Sequence, residues 1–157
     1  MKTAYEPAIL PATPADHPEL IALWEASVRA THHFLQEEDI ARYRPQVCAG
    51  LQALDIHLTR DEDGTVTAFA GLGGTKIEML FVRPDRRGSG LGGQIVRHCV
   101  AARGIRYVDV NEQNAQAVGF YQRMGFVRIG RDERDSAGRP YPILHMAYTG
   151  TIAEWEY

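Results

Sequence analysis

Residues 83–93 read RPDRRGSGLGG, two arginines running into four glycines within six residues. Glycine loses more backbone freedom on folding than any other residue, so a chain concentrates it where the backbone must turn sharply or approach something closely. A plain turn from strand to helix needs one or two. An anion seat uses more, because bare backbone N–H groups and the positive end of a helix starting near Gly90 then face the ligand, with Arg86 or Arg87 adding charged hydrogen bonds. Two familiar phosphate loops fit poorly. Gly88-x-Gly90-x-x-Gly93 satisfies the dinucleotide fingerprint, and Asp109 lies at a fitting distance for a ribose contact. Yet Arg83 to Arg87 intervene after Val82, Asp109 sits between Val108 and Val110, and only about fifty residues follow it, too few for a second nucleotide-binding half. No Gly-Lys-Ser/Thr is present for a P-loop. A pyrophosphate seat of another kind remains.

The rest of the chain bounds the choice. Its 157 residues suit one domain spanning 1–157. With 45% hydrophobic and 24% charged residues the composition is that of a folded domain. The net charge of −3 supplies no global field for nucleic acid, although Arg83, Arg86 and Arg87 form a local basic patch. No window approaches the ~18 apolar residues of a membrane span, and the first twenty residues lack a signal-peptide core, so a cytoplasmic location is expected. Cys48 and Cys99 are not in a C-x-x-C pair and read as reduced thiols, and the six histidines show no metal-ligand spacing, so no metal is expected.

Periodicity predicts a strand over Tyr5 to Ala12 and then a helix start at Thr13-Pro14-Ala15-Asp16, with Thr as cap and Pro at the first position. Leu20, Trp24 and Val28 repeat at helical spacing. A second helical stretch over Glu37 to Leu54 is expected to break near Pro45. Alternation at Ile56 to Thr59 and Thr65 to Ala70 around Asp61-Glu62-Asp63-Gly64 is a hairpin, with a third strand at Lys76 to Val82. A helix from Leu91 ends at Gly104, a strand covers Tyr107 to Val110, and Asn114 caps a helix reaching Met124. Val127 to Gly130 and Ile143 to Ala147 form a last strand pair around a polar loop. The order gives a mixed α/β domain with an antiparallel first half and a crossover at the glycine loop.

Arg87-Gly88-Ser89-Gly90-Leu91-Gly92 matches R/Q-x-x-G-x-G/A, and Asn114-x-x-Ala117-x-x-Phe120-Tyr121-x-x-x-Gly125-Phe126 follows one helix and one strand later. In that order the two motifs resemble the GCN5-related N-acetyltransferase (GNAT) superfamily. VRATHHFL at 28–35 and the closing hairpin at 130–148 resemble, more narrowly, the bacterial YjaB-like group. The resemblance implies a central, mostly antiparallel twisted sheet splayed at its middle strands, with helices on both faces. It implies acetyl-coenzyme A as cofactor, with the Leu80, Phe81 and Val82 backbone on pantetheine, Arg86 to Gly92 on pyrophosphate, and Asn114, Ala117, Phe120 and Tyr121 along the arm.

Acetyl transfer to an amine needs a deprotonated amine, a donor for the carbonyl oxygen, and a proton or other help for the departing thiolate. Tyr121 is the candidate for the last, since a neutral phenol has an O–H to give. Asn114 and Tyr121 are seven residues apart, about two helical turns, and share a face. The base stays open between Glu78, His33 or His32, His145, and water alone. The acceptor side is expected at His32-His33 and the 131–142 loop, partly by resemblance and partly by elimination. The expected activity is direct transfer from acetyl-coenzyme A to a small amine, antibiotic, free amino acid or protein lysine, by a monomer or homodimer without nucleic-acid or membrane partners. The rival class is an acyl-coenzyme A sensor that binds without catalysing, and a dinucleotide oxidoreductase is a distant third.

Overall fold

The computed structural model describes residues 7–31, 33 and 35–150. Its elements run β1 (Leu10–Pro11), α1 (His17–Thr31), α2 (Glu37–Ala53), β2 (Asp55–Arg60), β3 (Val66–Gly73), β4 (Lys76–Val82), α3 (Leu91–Arg103), β5 (Tyr107–Asn111), α4 (Ala115–Arg123), β6 (Phe126–Asp132) and β7 (Ile143–Tyr148). The strands form one sheet in the order β1-β2-β3-β4-β5-β7-β6. Every pairing is antiparallel except β4 with β5, the crossover expected from the glycine loop. No helix among the described residues is long and apolar enough to cross a membrane.

Local chemistry explains the helix starts. Asp16 accepts the Thr13 backbone N–H at 2.8 Å, closing a capping box on the single 3₁₀ turn that leads into α1. Asp39 accepts the Gln36 N–H at 3.0 Å and does the same for α2. Two expectations are corrected. The first strand shrinks to Leu10–Pro11, with Tyr5 and Glu6 outside the described residues. The helix does not break at Pro45, which lies inside a continuous α2. A proline there forfeits one backbone bond at a cost of about 3 kcal/mol relative to alanine. Ile40 before it and Val47 and Leu51 after it are buried in one cluster, and that packing carries the axis through.

The core has two layers. α1 and α2 cover one face, where Leu20, Trp24, Leu51, Leu58 and Phe69 are buried. α3 and α4 cover the other, with Ala68, Ala70, Ile95, Val96, Cys99, Val108 and Met146. Phe69 is wholly buried, so its truncation to alanine would cost about 3–5 kcal/mol.

The register of β4 positions everything functional. Gly71 pairs with Met79 and Leu72 with Ile77, leaving Glu78 without a partner on β3. That extra residue is a bulge, and it resets the alternation of side chains. Ile77, Leu80 and Val82 pack on the α3/α4 face, while Met79 and Phe81 pack on the α1/α2 face. Pairing with β5 stops at the same place: only Lys76 and Ile77 are matched, to Tyr107 and Val108. Beyond Glu78 the two strands part. The residues after the bulge, Met79 to Val82, are half-buried, because the parting opens a gap beside them.

Candidate active site

The gap is the head of a cleft of about 660 Å³. Leu80, Phe81 and Val82 from β4, Arg86, Arg87, Gly88 and Gly90 from the loop, and Leu91 and Gly92 from the first turn of α3 form one wall. Asn114, Ala117, Phe120 and Tyr121 form the other. The two motifs, separate in sequence, thus face one space.

Gly88 and Gly90 have φ of 79° and 89°, a left-handed conformation that side chains resist. A Cβ at either would meet nothing within 4 Å, so the demand is conformational and not one of room. Gly90 caps α3 without any side chain to accept a hydrogen bond, so the first-turn amides have neither an intrahelical acceptor nor a side-chain one. With the dipole of a 13-residue helix behind them, these amides make an anion seat.

The two arginines differ. Arg86 donates to Asp61 at 3.1 Å, a carboxylate shared with Arg83, so its charge is largely offset. Arg87 donates to the neutral Gln116 side chain across the cleft and keeps its charge available there. Ser89 turns its hydroxyl onto the Arg86 carbonyl and is not among the lining residues.

Asn114 caps α4 by accepting the Ala117 N–H at 3.1 Å, which commits its carbonyl oxygen to the helix. Tyr121 lies two turns on, 6% exposed, with its ring edge-on to Phe120 and Phe126 at 5.0 and 5.6 Å between centroids. Burial, with a smaller contribution from nearby Cys99, pushes the phenol pKa well above its ordinary value. Tyr121 therefore holds its proton throughout the neutral range.

The base candidates lie apart from this cleft. Glu78 is exposed at the bulge, its carboxyl turned back toward Gly73, and does not line the cleft. His33 is exposed in the turn after α1 and does not line it either, and His32 lies outside the described residues. His145 is gripped by Asp109 at 2.7 Å and Asp132 at 2.8 Å, which raise its pKa and favour the protonated form, the wrong state for a base. Sequence reasoning missed Ser27, Thr31, Gly93, Gln116 and Arg123, all of which line the cleft. For Ser27 there was a signal: a polar residue on the apolar stripe of α1, 6% exposed.

The residues present fit a ligand with a diphosphate and an extended arm. The uncapped α3 amides and Arg87 suit the first, and the free edge of β4 beyond Ile77 suits the second. A family model described as "Acetyltransferase (GNAT) domain" matches residues 53–128. Peptidyl-lysine N-acetyltransferase YjaB of Escherichia coli K12 is 40% identical over 132 residues, covering 84% of this chain and 90% of that protein. The solution structure of apo YjaB from Escherichia coli superposes with a TM-score of 0.83 at 37% identity, covering 93% of this chain and 99% of that one. The PaiA N-acetyltransferase of Thermoplasma acidophilum, solved with coenzyme A, shares the fold at a TM-score of 0.67 and 18% identity, covering 92% of this chain and 100% of that one. The chain therefore belongs to the GNAT family of N-acetyltransferases, enzymes that take their acetyl group from acetyl-coenzyme A.

Proposed function

We propose that the cleft seats acetyl-coenzyme A and that the chain passes the acetyl group directly to a lysine side-chain amine on a protein or peptide. One observation carries this reading: a buried tyrosine that retains its proton shares one cleft with an uncapped helix terminus and an unpaired strand edge. The name of the Escherichia coli relative supports the lysine acceptor. Bound there, the cofactor would supply an acetyl group activated as a thioester. The α3 amides and Arg87 hold the diphosphate, and the Leu80 to Val82 backbone holds the arm in extended form. Asn114 fixes the start of α4 and so the direction of its inner face. Tyr121 gives its Oη proton to the departing thiolate. None of the described lining residues is a carboxylate or an imidazole, so the amine proton leaves through water. We also infer that the chain works as one domain, as a monomer or homodimer, in the cytoplasm, a setting supported by two unpaired cysteines.

The test is turnover of acetyl-coenzyme A against a panel of lysine peptides, free amino acids and small amines, with products identified by mass spectrometry. A lysine peptide should be used at least ten times more efficiently than free lysine. Binding of acetyl-coenzyme A without acetylation of any amine would replace this reading with the sensor alternative.

A further inference from the structure

The loop between β6 and β7 ties the segment before α4 to α2. At one end the Glu112 N–H donates to the Pro142 carbonyl at 2.8 Å, beside Asn114 on the α4 wall. At the other, the loop reaches α2, the helix that follows α1. Tyr141 donates to Asp39 at 2.8 Å, and Tyr43 donates to Asp135. Asp135 also accepts the N–H groups of Ala137 and Arg139, which shapes the loop. The Arg139 guanidinium lies 5.6 Å from the centre of the Tyr43 ring and donates to Asp39 at 3.3 Å.

These partners form a cation cage: one tyrosine face, a second tyrosine at the rim, and a carboxylate that is 7% exposed. The occupant is held loosely. Its bond to Asp39 is longer than the usual 2.7–3.2 Å. Its Nε is buried with no hydrogen-bond partner. The fork is not bidentate, because the other Asp39 oxygen is taken by the Gln36 N–H and the Tyr141 hydroxyl. Gly138, at φ 78°, gives the loop a pivot next to Arg139. Other cations stand nearby: Arg42 acts on Asp39, and Arg134 is tied to the Gly138 carbonyl.

We propose that the Asp39–Tyr43–Tyr141 cage is a guanidinium seat, filled in the free protein by the chain's own Arg139, and that a basic side chain beside the acceptor lysine displaces Arg139 and takes it. This rests on the acetyltransferase reading for its acceptor, but the seat itself does not depend on turnover. Arg139 is then a positioning residue: it holds the loop against α2 until a cationic acceptor segment competes for the same carboxylate and ring.

The experiment has two arms. The Arg139→Ala variant is titrated with methylguanidinium, following the ring signals of Tyr43 and Tyr141 by NMR. Saturable shifts in the variant, at concentrations that leave the wild type unmoved, are expected. No saturation in the variant, or equal shifts in both proteins, would overturn the proposal whatever the enzyme's activity. In the second arm, Asp39→Asn keeps an acceptor oxygen for the helix cap but removes the seat's charge. It should raise KM about tenfold, the factor one charged hydrogen bond supplies, for a lysine peptide with an adjacent arginine. KM for acetyl-coenzyme A and for a peptide with glutamate in that place should stay put. Equal losses on both peptides would also overturn the proposal, and this arm remains informative if Arg139→Ala fails to fold.

Discussion

Tyr121 joins two roles in one side chain: its ring packs against Phe120 and Phe126, and the residue lines the cleft. Phenylalanine keeps the packing and removes the proton. Tyr121→Phe should leave stability and acetyl-coenzyme A KM nearly unchanged and lower kcat about 100-fold. Wild-type kcat, measured where chemistry limits the rate, would reduce Tyr121 to a packing residue. His145 makes a different kind of prediction. Asp109 first and Asp132 second raise its pKa in the folded protein. Its contribution to stability is therefore complete below the unfolded value of 6.5 and fades as pH rises through the higher folded value. Urea unfolding across that window should show the loss, and His145→Gln should flatten it. An unchanged profile in the variant would assign the pH dependence elsewhere.

At the scale of elements, the glycine loop separates two uses of glycine. Gly90→Ala forces a side chain into a left-handed backbone, at a cost of about 1–2 kcal/mol, and should weaken acetyl-coenzyme A binding with it. Gly93→Ala sits within α3, where a Cβ would make ordinary contacts, 3.4 Å from the Arg97 guanidinium and 3.7 Å from Met124. Helix propensity should then raise stability by up to about 1 kcal/mol. Urea midpoints that move in the same direction for both variants would contradict this division. Such local features were legible in the sequence. The glycine run, the Asn114 cap and the Thr13 box each depend on residues within one turn of each other. What escaped was set by distant partners. The Glu78 bulge depends on register with Gly71 and Leu72. Pro45 looked like a break because the packing of Ile40, Val47 and Leu51 that overrides it is tertiary. Ser27 and Thr31 reach the cleft only because α1 lies over β4, and the Asp39 to Arg139 contact spans 100 residues.

Taken as a whole, the molecule is a sheet opened at one seam. β4 and β5 meet at Lys76–Tyr107 and Ile77–Val108, and the Lys76 ammonium pairs with Asp109 beside that closed end. Past Glu78 the seam widens. α3 supplies the seat and α4 the tyrosine across the cleft from it, α1 adds Ser27 and Thr31, and the β6–β7 loop packs against α2 outside the cleft lining. The central claim is that the cofactor lies along this seam. Its most direct test is a backbone amide NMR titration with coenzyme A. Shifts should concentrate at Leu80 to Val82, at Gly88 to Gly92 and along Asn114 to Tyr121, and NAD at equal concentration should move them less. Shifts that spare the β4 edge and the α3 terminus, or a stronger response to NAD, would contradict it.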